Sequence, residues 1–424
     1  MKKSIPITIL AAGAMLALAA CSGSPASTTT DQSGGKVTLT MWTGFTGGDR
    51  PGYAQIVKDF NASQNKIKVV QDVQPWDTIQ QKLPSAWLTG QGPDLAAPSS
   101  DPNVIAQYVK TNSVLPITNI GSGAGQVDAS KFAPVLKKEF TYKGKLYAVP
   151  ANYATLSLYY NKKEFAAAGI SGPPTTVAEF QADAQKLTIN GGRTQYGLAL
   201  ADNNTIQMWP ILQWLEGGDI VNSKNCSVVQ TAKGQNSLKT WSDLVVNDNI
   251  APVGLTGAES DALFSAGKAA MEMNGPWAAP GFKSAGIDLG IAKIPVGVNG
   301  PVTLASTAPL AISAKTKYPK QAEQFLAYYT SKAVQKKFSL TTGFPPTRSD
   351  LANNPQLKAD PTIATFAAQI PDARLYLPQV PNATQVDANA YTTLIGQITR
   401  GTPVATATAT AAKTIDGLTG CTSQ

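Results

Sequence analysis

The stretch KVTLTMWTGFTGGDRPGYAQIVKDFNASQNKIKVVQDV (residues 36–73) carries the pattern that decides the fold. Residues 36–42 alternate apolar and polar side chains, which predicts a first β-strand. A helix is predicted next, because apolar side chains recur there at helical spacing. Its apolar face consists of Tyr53, Ile56, Val57 and Phe60. Residues 67–73 return to strand character, so the stretch predicts parallel strands covered by helices.

The same alternation continues along the chain. A helix is predicted over 78–88 and a short apolar strand over 94–97, and further strands are predicted at 269–273, 289–294 and 304–312. The predicted fold class is therefore α/β. Ligands of such sheets bind at the loops that follow the carboxyl ends of the strands. The loops predicted at this edge are residues 43–52, 74–77 and 98–101.

Composition excludes several classes of function. The 424 residues are 43% hydrophobic, enough for two or three domains of about 150 residues each. The net charge of +8 is spread without any block of five like charges, which argues against a dedicated nucleic-acid binder. The absence of histidine excludes Ser-His-Asp and Cys-His catalysis and His-bearing zinc sites. No Cys-x-x-Cys pair or Asp cluster indicates a metal, and we expect no cofactor.

The N-terminal segment predicts export and anchoring. Residues 1–20 begin with two lysines and continue as an apolar run shorter than the roughly 20 residues that a membrane span needs, as in a signal peptide. The sequence Leu-Ala-Ala-Cys at 18–21 resembles the bacterial lipobox, which implies cleavage before Cys21 and acylation of its sulfur. An ordinary secretory signal with an incidental cysteine is the alternative. Residues 21–35 are rich in Ser, Thr and Gly and predict a flexible tether.

Two further cysteines remain in the mature chain. Cys226 and Cys421 can form a disulfide outside the cytoplasm, where thiols are not kept reduced. Two buried free thiols are the alternative, because the sequence does not give the distance between them.

Aromatic side chains at predicted breaks indicate a binding cleft. Six of them stand in loops or at strand ends beside Gly, Pro, Asn or Asp. They are Phe45, Trp76, Tyr153, Trp209, Trp277 and Phe344. Each ring alone is equally compatible with packing, but six together favour a cleft. A flat ring matches the apolar C–H face of a sugar, and short polar acceptors match the hydroxyls at its rim.

Carboxylates near the predicted strand ends leave two interpretations open. Asp49, Asp77 and Asp101 are suitable hydrogen-bond acceptors for a polar ligand. Paired carboxylates are also the catalytic groups of glycosidases. Nothing in the spacing of these residues selects the catalytic interpretation.

Several motifs together carry a family resemblance. In chain order they are GQGPDL at 90–95, GKLYAVP at 144–150, LYYNK at 158–162, FSAGKAAM at 264–271, NGPW at 274–277 and TGFPP at 342–346. In this order they resemble the extracellular solute-binding protein family 1, the sugar-binding lipoproteins of ABC importers. The resemblance runs from about residue 36 to the C-terminus.

The resemblance implies two α/β lobes with a ligand cleft between them, as in periplasmic binding proteins. Three hinge crossings are expected near 149–152, 303–306 and 343–346, and the lobes are expected to close on the ligand by hinge motion. The implied division is 1–20 signal peptide, 21–35 lipidated cysteine and tether, 36–149 plus 305–343 lobe 1, and 152–303 plus 346–421 lobe 2.

The resemblance also implies ligand-binding residues. Trp277 and Asp101 match the tryptophan and aspartate of the family motifs, whereas three positions that stack on maltodextrins elsewhere hold Pro98, Ile206 and Asp387. A different and short oligosaccharide is therefore expected. The complete predicted set is Phe45, Asp49, Trp76, Asp77, Ser100, Asp101, Asn152, Tyr153, Trp209, Asn274, Trp277, Ser306 and Phe344.

The expected function is that of a lipid-anchored substrate-binding protein on the extracytoplasmic face of a bacterial membrane. It would capture a sugar or short oligosaccharide as a monomer and deliver it to ABC permease subunits without altering it. Nucleic acid is not an expected partner, and contact with the membrane is expected through the lipid alone. The alternatives are a glycerol phosphate or phosphodiester binder using Arg348 and Arg374, a tethered carbohydrate hydrolase, and a structural or adhesive surface protein.

Overall fold

The computed structural model describes residues 35–203 and 208–422. The strands are β1 Val37–Thr43, β2 Ile67–Val73, β3 Leu95–Ala96, β4 Thr141–Tyr142, β5 Lys145–Leu146, β6 Ala148–Pro150, β7 Ala154–Thr155, β8 Ser157–Asn161, β9 Tyr196–Ala199, β10 Ala269–Asn274, β11 Leu289–Ala292, β12 Thr303–Ser306, β13 Pro309–Ile312 and β14 Ala373–Leu375.

Helices cover the sheets. The α-helices are α1 Arg50–Ser63, α2 Trp76–Thr89, α3 Val104–Lys110, α4 Pro134–Glu139, α5 Lys162–Ala167, α6 Val177–Lys186, α7 Met208–Leu215, α8 Ala232–Asp248, α9 Gly257–Ser265, α10 Ala279–Ser284, α11 Pro319–Tyr329, α12 Lys332–Thr342, α13 Pro355–Ala359, α14 Pro361–Ala367, α15 Ala383–Gln385, α16 Thr392–Ile398 and α17 Val404–Thr419. Single turns of 3₁₀-helix lie at Ala129–Lys131, Pro276–Ala278, Ser349–Leu351 and Ile370–Asp372, and a π-helical turn lies at Val386–Tyr391. Within the described residues, none of the helices has the length and apolarity that a membrane span requires.

The first sheet confirms the predicted strand–helix–strand pattern. Its strand order is β2-β1-β3-β13-β6. Strand β1 runs parallel to β2, with Val37 opposite Ile67, and parallel to β3, with Met41 opposite Leu95. The predicted apolar face of α1 is buried against this sheet. The carboxyl ends of these parallel strands therefore open on one edge, where the predicted binding loops begin.

Two further sheets lie in the rest of the chain. One has the order β11-β8-β10-β9 and the other the order β14-β12-β7. The large hydrophobic cluster on the first sheet is built mainly from the first third of the chain and from α11 and α12. The other large cluster is built from α6 to α8, the strands of the four-stranded sheet and the C-terminal helices. Separate cores on separate sheets are what a two-lobed α/β fold requires.

The chain passes between sheets where the sequence predicted one continuous strand. The prediction of a strand over 304–312 is wrong, because β12 belongs to the three-stranded sheet and β13 to the first. At the break, the Thr307 hydroxyl donates to the carbonyl of Asn152 over 2.7 Å, and the amide of Ala308 donates to the Asn152 side chain over 3.0 Å. These polar groups are thus satisfied by the neighbouring segment after β6 instead of by a sheet.

Cys226 and Cys421 form a disulfide. Their Cα atoms lie 5.2 Å apart although 195 positions separate them in sequence. Close by, the amide of Ser227 donates to the Asp416 carboxylate on α17 over 2.7 Å. The covalent bond and this hydrogen bond together hold the end of α17 against the segment between α7 and α8.

Candidate ligand-binding cleft

The loop after β1 packs an aromatic cluster at the sheet edge. The ring of Phe45 stacks on that of Tyr53 with centroids 3.7 Å apart and planes 6° apart, and Trp76 meets Phe45 edge-on at 5.5 Å. Phe45 is only 6% exposed, whereas Trp76 at the start of α2 is partly exposed. Trp76 therefore offers ring surface at this edge, and Phe45 supports it from within.

The turn that carries Trp277 faces this loop from the four-stranded sheet. A Cβ built on Gly48 would lie 3.2 Å from the amide nitrogen of Gly281 and 3.3 Å from the Trp277 carbonyl oxygen. Trp277 packs against the cores of both large sheets and lies 6.2 Å, centroid to centroid, from Phe344. Trp277 is itself partly exposed. Loops from two sheets thus meet around this ring, as the sequence analysis expects of a cleft.

Three more of the aromatic rings predicted to line the cleft are buried. Trp209 is 1% exposed within the core of the four-stranded sheet and donates its indole N–H to the Ala201 carbonyl over 3.1 Å. Tyr153 is 2% exposed in a small cluster that includes Leu136, and Phe344 is fully buried. A ring with this burial presents no face to a ligand in the conformation described, so ligand contact with any of these three rings requires the chain to open.

Asn152, a predicted ligand-binding residue, uses its side chain for hydrogen bonds within the protein, where the chain crosses between sheets. Its side-chain N–H donates to the hydroxyl of Tyr53 over 2.7 Å, and its side-chain oxygen accepts from Ala308. Ser306, at the end of β12, is 9% exposed and pairs with Ala154 of β7. Both residues lie where the chain passes between sheets, and the contacts of Asn152 are made to the protein.

Asp49 is a buried carboxyl beside the aromatic cluster. It is 5% exposed, and burial raises its pKa to about 7 against the opposing effect of hydrogen bonds from its own backbone and from Tyr53. Desolvation disfavours the charged form of a carboxylic acid, so Asp49 changes its charge near neutral pH. Asp77, in contrast, is exposed at the start of α2 and accepts from the amide of Thr78 over 2.8 Å.

Asp101 lies in a second group of polar side chains, which connects the first sheet to the three-stranded sheet. Burial raises the pKa of Asp101 to about 7, and the carboxyls of Asp387 and Glu139 raise it further. Its neighbour Asn103 donates from its side chain to the carbonyl of Tyr376 over 2.7 Å, which links the loop after β3 to the segment after β14. Ser100, also predicted, is partly buried in the same loop.

Buried polar atoms around Asp101 lack hydrogen-bond partners among the described residues. They are the side-chain oxygen of Asn103, one carboxyl oxygen of Glu139 and the hydroxyl of Tyr142. Burial raises the pKa of Glu139 to about 7 and that of Asp387 to about 6, so none of these carboxyls is strongly acidic. Buried polar groups are nearly always paired in native proteins. In the described conformation these atoms are enclosed, so a ligand can supply the missing hydrogen bonds only when the chain opens.

Asn103, Glu139 and Tyr142 were not among the residues predicted from the sequence. Asn103 stands two positions after the predicted Asp101 in the same loop, so the loop itself was the available indication. Glu139 and Tyr142 lie in α4 and β4, outside the predicted binding loops, and only the tertiary structure brings them to Asp101. Of the positions that differ from maltodextrin binders, Pro98 is buried and Asp387 accepts from the Tyr376 hydroxyl over 2.8 Å, while Ile206 lies outside the described residues.

Arg348 and Arg374, the two arginines considered for binding a phosphate, form hydrogen bonds with other residues of the protein. Arg348 is 7% exposed and donates to both oxygens of Asp350, at 2.9 and 3.0 Å, and to the Thr330 carbonyl. Arg374 donates to Asp219 over 2.6 Å and lies 4.5 Å above the ring of Trp214. Both cations therefore have protein partners.

Comparison with known proteins defines the class. The family model described as bacterial extracellular solute-binding protein matches residues 55–365, and the chain belongs to this family. That membership places the protein outside the cytoplasm. The signal peptide and lipid anchor predicted for residues 1–20 and Cys21 lie outside the described residues.

Individual relatives give finer detail. The chain is 26% identical to the maltotriose-binding protein of Pyrococcus abyssi, over 78% of this chain and 70% of that one. Among solved structures, an ABC transporter solute-binding protein of Thermotoga lettingae bound with α-D-tagatose aligns with a TM-score of 0.81 at 23% identity, covering 91% of this chain and 100% of that one. UgpB of Mycobacterium tuberculosis in complex with glycerophosphocholine aligns with a TM-score of 0.80 at 20% identity, covering 91% and 98%. The architecture is thus that of a two-lobed solute-binding protein.

Proposed function

We propose that this protein captures a sugar or short oligosaccharide outside the cytoplasm and delivers it to the permease of an ABC importer. The observation that carries the proposal is the group of polar atoms around Asp101, at Asn103, Glu139 and Tyr142, which have no described partner and which a ligand would reach when the chain opens. A polyhydroxylated ligand supplies both donors and acceptors to such a group. The partly exposed rings of Trp76 and Trp277 add flat apolar surface.

Relatives support the same ligand class. The Pyrococcus relative is named for maltotriose, and the Thermotoga structure holds a monosaccharide. Since the family resemblance implies that Pro98, Ile206 and Asp387 occupy positions that stack on maltodextrins elsewhere, the preferred ligand here is a different and short oligosaccharide. We further propose that Cys21 carries the lipid that retains the protein at the membrane, that the protein acts as a monomer, and that it does not hydrolyse its ligand.

A phosphodiester of glycerol is the second candidate, and the likeness to UgpB favours it. Recognition of a phosphate calls for cationic or backbone N–H donors. Arg348 and Arg374 are the arginines first considered for this role, and both are paired with aspartates. The sugar proposal therefore accounts better for the contacts of the described residues.

A thermal-shift screen tests the proposal. The mature chain is heated with mono-, di- and trisaccharides and with glycerophosphocholine, since a ligand well above its Kd raises the melting temperature by mass action. We expect a sugar to give the largest shift. A shift with glycerophosphocholine alone supports the second candidate, and chromatography of the sugars after incubation detects hydrolysis, which would contradict a pure binding role.

A further inference from the structure

A fully buried carboxyl and a partly buried one lie next to the Trp277 turn. Glu272 is fully buried on β10, and Asp261 lies on the facing helix α9. The side-chain nitrogen of Asn274 donates to an Asp261 oxygen over 2.7 Å and to a Glu272 oxygen over 3.2 Å. One nitrogen thus bridges the two carboxyls and holds them next to each other.

One carboxyl oxygen of Glu272 is left without a hydrogen-bond donor within the described part of the chain. One Glu272 oxygen accepts from Ser260 over 3.1 Å and from Asn274, but the other is buried and receives no donor from the described residues. The bridging nitrogen of Asn274 holds the Asp261 carboxyl beside that of Glu272. Two carboxyl groups can form a hydrogen bond only if one of them carries a proton.

No described cation neutralises the pair. Neither carboxyl forms an ion pair with a described Lys or Arg. The groups facing Glu272 are Ser260 and Asp261 from α9, Tyr159 from β8 and Ala199 from β9, so Tyr159 is the other titratable neighbour. Two unpaired negative charges in this interior would be costly.

The pair is connected to the binding surface through Asn274. Both donors of the Asn274 side chain are used by the carboxyls, and its oxygen accepts from the amide of Gly275 over 2.8 Å. The Gly275 carbonyl in turn accepts from the Tyr159 hydroxyl over 2.7 Å. The backbone must pass close to the ring here, since a Cβ on Gly275 would lie 2.1 Å from Trp277.

We propose that Glu272 and Asp261 share one proton and that this proton positions the Trp277 turn through Asn274. Glu272 and Asp261 are positioning residues, and Asn274 belongs with them, because its N–H groups are not free for a ligand. When the proton leaves, the two carboxylates repel each other and Asn274 loses its fixed orientation. The consequence for ligand affinity rests on the proposed function, but the ordering of the turn does not.

The direction of the pH effect follows from burial. Burial raises the pKa of Glu272 well above its ordinary value, and Asp261 raises it further. The folded chain therefore keeps a proton that the unfolded chain releases near about pH 4.3. Folding stability from this pair is complete below that pH and is lost as the pH rises through the folded pKa.

Hydrogen exchange of the ligand-free protein tests the proposal, with Glu272→Gln as the main variant. A glutamine keeps the shape and the donor of a protonated glutamate but does not titrate in this range. Wild type and variant are compared at equal pH from about pH 5 to about pH 9, so that the intrinsic pH dependence of exchange cancels. The readout is protection of the segment containing residues 275–282.

We expect wild type to lose protection relative to Glu272→Gln as the pH rises, by up to about tenfold for each pH unit between the unfolded and the folded pKa of Glu272, with no further loss above the folded value. Its melting temperature should fall relative to the variant over the same range. Asp243→Asn, which removes an exposed carboxyl on α8, should follow wild type. If Glu272→Gln does not fold, Asp261→Asn replaces it, since it removes the second carboxyl and with it the repulsion between the two, and its profile should then be less steep than that of wild type. Parallel profiles for wild type and the folded variant would overturn the proposal, whether or not any sugar binds.

Discussion

The side chain of Asn152 donates a hydrogen bond to the hydroxyl of Tyr53 over 2.7 Å and accepts one from the amide of Ala308 over 3.0 Å. One amide group therefore joins helix α1 to the two segments that leave and re-enter the first sheet. Asn152→Ala leaves buried partners unsatisfied, which costs about 1–3 kcal/mol for each group. We expect a loss of that order in the free energy of unfolding by urea, whereas exposed Asn236→Ala on α8 should leave it almost unchanged. Equal stability of the two variants would show that Asn152 does not hold the crossing.

Trp277 should supply stacking energy for a bound sugar. Its ring is partly exposed where the loops of two sheets meet. Trp277→Ala should weaken binding by about 0.5–1.5 kcal/mol beyond the loss of apolar contact area, and Trp277→Phe should recover part of it. Calorimetric titration measures both, with melting temperatures recorded because the ring also packs against the cores. An unchanged affinity in a folded Trp277→Ala protein would contradict stacking.

The raised pKa of Asp49 predicts that the folding stability depends on pH. Burial raises its pKa to about 7, so the folded chain retains a proton that the unfolded chain has lost. Its stabilising effect is complete below about pH 3.9 and is lost as the pH rises through about 7, with each unit of raised pKa worth about 1.4 kcal/mol. The unfolding free energy of wild type should therefore fall relative to Asp49→Asn across this range. A difference between the two proteins that does not change with pH would contradict this.

The disulfide should stabilise the fold by restricting the unfolded chain. Cys226 and Cys421 are 195 positions apart, so the bond closes a long loop. Its removal typically costs about 2–5 kcal/mol. We expect a reductant to lower the melting temperature of wild type to that of the Cys226→Ser/Cys421→Ser double variant. The double variant itself should not respond to the reductant, and a wild type that does not respond either would show that no stabilising bond is present.

Local patterns predicted the first sheet well. The strand at 67–73 and the helix face around Tyr53 depend on periodicity within a few residues, and the structure has both. The break at Thr307 was missed because a strand that changes sheets retains the same apolar pattern on both sides. Its polar groups are satisfied by Asn152, which is distant in sequence.

The site was only partly predictable, because the residues that bury or expose a side chain are distant from it in sequence. Sequence placed Trp76, Trp277 and Asp101 at loops, but it could not distinguish a ring that lines a cleft from one such as Trp209 that is buried in a core. Glu272 was overlooked although it is the one charged side chain in the apolar strand AAMEMN. A charge in such a strand is buried when the strand is central, and it then requires a partner.

Calorimetric titration of the mature protein with the sugar that gives the largest thermal shift tests the central claim most directly. The account predicts saturable binding of one sugar per chain, with lower affinity in Trp277→Ala and in Asp101→Asn. Glycerophosphocholine should give no heat of binding under the same conditions. Absence of binding by every sugar, or binding of glycerophosphocholine in its place, would contradict the account.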